Sequence, residues 1–68
     1  MRTSEILEYG KNNKVLVKWH KSYKDYHSIE YSVHTLGLNH TEDNHDLIWG
    51  HYFGEDYTNC NEYFNQYR

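Results

Sequence analysis

A chain of 68 residues with a formal net charge of −3 buries only about 60% of the surface its unfolded form exposes, which leaves little room for an enclosed catalytic cleft. Cys60 is the one cysteine, so an internal disulfide framework is excluded and a reducing, cytoplasmic setting fits best. No apolar run reaches ten residues, so neither a signal-peptide core nor a membrane span is expected. Mean hydropathy is low at −1.11, yet eight Tyr, two Trp and two Phe stand beside eleven Val, Ile and Leu. A folded domain whose core is built with rings is expected rather than disorder.

In chain order, "TSEILEYG" offers Thr3 or Ser4 as an N-cap, early acids, Ile6 and Leu7 as an apolar face and Gly10 as a stop, which predicts a short N-terminal helix. "KVLVKWH" alternates, with Val15, Val17 and Trp19 on one face of a strand and Lys14, Leu16, Lys18 and His20 on the other. The polar "KSYKDY" reads as the connection. "YHSIEYSVHTL" alternates again, with Ile29, Tyr31 and Val33 inward and Ser28, Glu30, Ser32 and His34 outward.

Gly37 to Asp46 has no apolar period and reads as a loop, whereas "DLIWGHYF" is apolar on both faces and reads as a third, covered strand. Gly54 ends that run, Asp56 or Thr58 can cap, and Cys60, Tyr63, Phe64 and Tyr67 fall at helical spacing. The expected architecture is a single small α+β domain over residues 1–68. It takes the order α-β-β-β-α, with an N-terminal and a C-terminal helix on one face of a three-stranded antiparallel sheet. The expected core is Val15, Val17, Trp19, Ile29, Tyr31, Val33, Leu47, Trp49, Phe53, Cys60 and Phe64. Surplus aromatics and an open sheet edge favour a homodimer.

Charge divides unevenly along the chain. Residues 1–32 carry a net +2, while residues 33–68 set Glu42, Asp43, Asp46, Glu55, Asp56 and Glu62 against Arg68 alone. The acids, with Tyr52 beside them, are the expected partner-binding set: Glu42, Asp43, Asp46, Glu55, Asp56 and Tyr52 on one edge complement a protein partner with a basic groove. The alternative is nucleic-acid binding through Lys14, Lys18 and Lys21 interleaved with Tyr23 and Tyr26, a stripe that the overall negative charge opposes. The predicted element order is similar to that of the double-stranded-RNA-binding domain, but the basic cluster that likeness implies at the start of the last helix is replaced by "GEDYTNCNE".

His40, His45 and His51, with Asp43 or Asp46, have the right atoms for zinc but not a diagnostic spacing, so no metal and no cofactor are expected. Cys60 belongs to the helix stripe and reads as a small core residue rather than a nucleophile, and the chain is expected not to be an enzyme. In size, acidity and compactness it resembles the small accessory proteins with which bacteriophages inhibit host defence or nucleic-acid enzymes. That resemblance implies a cytoplasmic module acting by occlusion.

Overall fold

In the computed structural model, which describes residues 2–41 and 45–68, four antiparallel strands follow one another as a meander in the order β1-β2-β3-β4. They are β1 (Arg2–Tyr9), β2 (Lys14–Tyr23), β3 (Tyr26–Leu36) and β4 (Leu47–Gly54). Helix α1 (Tyr57–Phe64) then returns across one face and ends in a 3-10 turn at Asn65–Tyr67. Among the described residues, no helix is long and apolar enough to cross a membrane.

The expected N-terminal helix is absent among the described residues, and the sheet has four strands rather than three, because Arg2–Tyr9 forms the edge strand β1. The capping letters at Thr3 and Ser4 are real, but Ile6 and Leu7 anchor barely one helical turn, and so short a helix has almost no stability of its own. Pairing to β2 from Arg2 opposite Lys21 to Tyr9 opposite Val15, with a bulge at Leu7, satisfies the same backbone groups against a partner. Gly10 is therefore not a helix stop. A Cβ there would lie 2.6 Å from the Tyr67 carbonyl oxygen and 2.8 Å from Phe64 Cζ, so glycine lets the C-terminal segment sit directly on the β1–β2 connection.

Lys24 and Asp25 form the turn between β2 and β3, with Tyr23 opposite Tyr26, and the register from that pair sets Leu16 opposite Val33 and Lys18 opposite Tyr31. Directly opposed residues share a face. Leu16, Val33 and Tyr31 thus point to the helix, where Leu16, Val33, Cys60 and Phe64 are the buried cluster and Tyr31, Phe53, Tyr63 and Tyr67 pack around it. This corrects the expected single core: Val15, Val17 and Trp19 lie on the second face, across from His34, Ser32 and Glu30. Ile29 and Trp49 are exposed.

The second face has its own cover. His45 Nδ1, two residues before β4, lies 3.2 Å from Ser4 Oγ on β1 at the opposite edge of the sheet, and Val15 and Val17 on this face have no exposed surface. Beside them a polar chain is buried. Trp19 Nε1 donates to Ser32 Oγ at 2.7 Å, and Ser32 Oγ bonds His34 Nε2 at 2.8 Å. Among the described residues, His34 Nδ1 is buried without a hydrogen-bond partner. Burial, then the charge of Arg2, holds the His34 imidazole below its ordinary pKa. Arg2 itself lies over the Trp19 ring at 4.0 Å.

Candidate interaction surface

The described carboxylates of the expected set do not gather on one edge. Glu42 and Asp43 lie outside the described residues. Asp46 stands before β4 and Glu55 after it, and eight strand residues at about 3.3 Å each separate them by roughly 25 Å. Asp46 closes its own loop: its carbonyl accepts from Gly37 N–H at 2.7 Å and its carboxylate from Asn39 N–H at 3.2 Å. Asp56 is the N-cap of α1 and accepts the Asn59 N–H at 3.1 Å. Of the described acids in the expected set, Glu55 is the one whose carboxylate has no hydrogen bond or ion pair among the described residues; its backbone carbonyl accepts from the Tyr57 N–H at 3.0 Å.

The lysines are divided too. Register places Lys14 and Lys18 on the helix face and Lys21 on the second face. Lys14 donates to Thr35 Oγ1 at 2.7 Å with its Nζ over the Tyr67 ring, and Lys21 pairs with Glu30 at 3.0 Å. Tyr23 and Tyr26 stand opposite each other at the hairpin tip, both exposed. A continuous basic and aromatic stripe is not formed, although the tip itself is open.

The histidines separate by face. His51 stacks on Tyr63 with ring centroids 4.6 Å apart on the helix side, while His45 reaches Ser4 on the other with the His40 ring 5.4 Å away. Among the described residues, no three of His, Cys, Asp and Glu are placed to hold a metal ion. Cys60 has no exposed surface, and burial, aided by the charge of Asp56, pushes its thiol up to about 11. A thiol held there is a poor nucleophile near neutral pH.

What the sequence reading missed is Trp49. β4 pairs His51 with Val33 and Ile48 with Thr35, so Trp49 and Gly50 together oppose His34 as a bulge. Trp49 takes φ +54°, a left-handed conformation that costs a bulky side chain about 1–2 kcal/mol and is ordinarily given to glycine in bulges of this kind. Its indole is not tucked away in return, since the residue is 79% exposed. Gly50 lies against the His34 ring, where a Cβ would sit 2.5 Å from His34 Cε1 and 2.9 Å from Tyr52 Cε2. Tyr52, itself 57% exposed, packs edge-on to His34 with centroids 5.2 Å apart. Trp49 and Tyr52 are therefore both exposed on the edge strand β4, with exposed Ile48 next to Trp49 in the chain. A bulge was the signal available in the sequence: "IWGHY" sets a glycine inside an otherwise apolar strand.

Comparison with protein families, with curated proteins and with solved structures gave no match.

Proposed function

We propose that this chain is a small protein-binding module that acts by covering a partner's surface, and that its anchors are Trp49 and Tyr52 on β4 rather than the carboxylates. The observation that carries this reading is Trp49, a large aromatic kept in an unfavourable backbone conformation and left mostly in solvent. Strain of that sort persists where the surroundings impose it and concentrates at ligand-binding positions. Trp and Tyr are the residues most enriched among interface hot spots, and the rigid indole loses little entropy on docking.

Both open edges of the sheet carry bulges, at Leu7 in β1 and at Trp49–Gly50 in β4. Bulges oppose continuous strand addition along those edges, which favours docking of side chains over extension of the β4 ladder. Docking of one acidic edge in a basic groove is not carried forward, because Asp46 and Glu55 sit at opposite ends of β4 and the Asp46 and Asp56 carboxylates are engaged within the fold.

The test is capture from a bacterial lysate on immobilised wild-type chain, on Trp49→Ala and on Tyr52→Ala, with circular dichroism confirming that all three are folded. The expected result is a protein retained by the wild type and lost from both variants. Retention of the same protein by both variants, or recovery of nucleic acid alone, overturns the reading.

A further inference from the structure

The side of the sheet that carries Trp49 continues past the end of β4. Gly54 is opposite Tyr31, the last position at which β4 pairs with β3. Tyr26 to Glu30 pair with β2 only, so the outer edge of this stretch of β3 is unpartnered among the described residues.

A pocket of about 350 Å³ lies here, lined by His20, His27, Ser28, Ile29, Tyr31 and Glu55. The alternation of β3 sends His27, Ile29 and Tyr31 to the same face, and His20, opposite Ile29, joins them. The His20 and His27 rings are 6.2 Å apart and tilted by 57°. The far wall is Tyr31, braced edge-on by Tyr57 at 4.9 Å. Ile29 gives an apolar floor, and Glu55 stands at the rim with a carboxylate that has no hydrogen bond or ion pair among the described residues.

We propose that this pocket takes the guanidinium of an arginine carried on an extended segment of the protein partner, which pairs along the free edge of β3 between Tyr26 and Glu30. Each part of that ligand meets a matching feature. A planar guanidinium stacks on aromatic faces, and His20, His27 and Tyr31 supply them, whereas a lysine ammonium has no face to stack. A carboxylate accepts two parallel N–H bonds from the guanidinium fork, and Glu55 is the acid left unengaged. The methylene stem lies on Ile29. An added strand gains its hold from main-chain bonds and its specificity from pockets under alternate side chains, which is the arrangement His27, Ile29 and Tyr31 make. The inference rests on the protein-binding reading above and adds the class of partner: a basic, extended segment running along the β4 edge of the sheet, with its arginine on the helix face and Tyr52 on the other face.

The experiment uses the whole chain and blocked pentapeptides of Val and Thr with a central arginine, the same peptide with citrulline, and the same with lysine, followed by residue-resolved NMR. The arginine peptide is expected to shift the amides of residues 26–30 and the ring protons of His20 and His27. Citrulline in its place, or Glu55→Gln in the protein, should weaken binding about tenfold, the cost of one charge-assisted contact. The lysine peptide should bind more weakly than the arginine one. Equal binding of the citrulline peptide, shifts centred on β1 or β4, or displacement of the arginine peptide by a mononucleotide overturns the proposal. The arginine-peptide titration reports on this pocket alone and the lysate capture by the Trp49 and Tyr52 variants on the other surface, so failure of this site and failure of the Trp49 surface are read separately.

Discussion

Arg68 holds Glu8, sixty residues earlier in the chain, through two parallel hydrogen bonds, Nε to Oε1 at 2.8 Å and Nη2 to Oε2 at 2.7 Å. The same guanidinium lies over the Phe64 ring and donates to the Asn61 carbonyl oxygen at 3.3 Å. The end of the helical segment is thereby tied to β1. The hydrogen bond from Arg68 draws the Glu8 carboxyl below its ordinary pKa of 4.5. A carboxyl shifted down stabilises the fold where it is ionised in both states, and that contribution is lost as pH falls below 4.5 and through the folded-state value. Glu8→Gln should therefore lower the melting temperature at pH 7, with the gap from wild type closing on acidification. A gap of constant size from pH 7 to pH 2 would show that the pair contributes nothing through its charge.

Close packing at the base of α1 gives a second expectation. Phe64 has no exposed surface, and Phe64→Ala should cost about 3–5 kcal/mol, enough to unfold a domain of this size. Gly10→Ala adds one methyl against the Tyr67 carbonyl and the Phe64 ring and should cost about 1–3 kcal/mol by overpacking. Gly54 is a useful contrast, since nothing lies within 4 Å of an added Cβ but φ is +60°. Gly54→Ala should cost about 1–2 kcal/mol from backbone strain alone. Urea melts rank the three, and Gly10→Ala matching wild type would mean that the C-terminal segment does not rest on the β1–β2 connection.

His34 sets the behaviour in mild acid. Its imidazole is buried, one nitrogen bonds Ser32, the other has no hydrogen-bond partner among the described residues, and Arg2 acts on it from beyond the Trp19 ring. The Tyr52 hydroxyphenyl ring covers a further side. A histidine held below its ordinary pKa of 6.5 is protonated first in the unfolded chain. Stability is therefore complete above about pH 6.5 and declines as pH falls toward the folded-state value. His34→Gln removes that titration, so its stability should change less between pH 7.5 and 5 than the wild type's, whatever its absolute level. An unchanged pH slope would exclude His34 as the group responsible.

The parts legible in the sequence were those fixed by local period. β2 and β3 were legible as strands, though Leu16, Ser32 and His34, expected outward, are buried, and α1 with its 3-10 extension carries both the Asp56 cap and the Cys60, Tyr63, Phe64, Tyr67 stripe. The faces were not legible, because they depend on where the hairpin turns. With Lys21–Tyr26 taken as a loose connection, nothing ties the parity of β2 to that of β3. A two-residue turn at Lys24 and Asp25 ties it, setting Leu16 with Val33 and leaving Val15 and Val17 to the other side. β1 was missed because its letters suit a helix cap and only a neighbouring strand makes them extended. The candidate surface was missed for the same reason: Trp49 reads as core until the bulge turns it outward, and the pocket exists only because β4 stops opposite Tyr31 while the hairpin continues.

Trp49 also joins stability and binding in one residue, with opposite signs. Trp49→Gly places the residue natural to a left-handed bulge position where an indole now stands, and an indole that is 79% exposed forfeits little buried area when removed. Relief of backbone strain, about 1–2 kcal/mol, should outweigh both that loss and the extra freedom glycine brings to the unfolded chain, which costs up to about 1 kcal/mol. The variant should thus melt at or slightly above the wild-type temperature while losing capture of the protein partner. Trp49→Ala, which keeps the strain and removes the indole, should lose capture with no gain in stability. A stability gain in glycine but not alanine separates strain from burial, and loss of capture in both assigns the indole to the interface. A Trp49→Gly chain that unfolds outright would place the indole in the core, and one that keeps its partner would remove Trp49 from the binding surface.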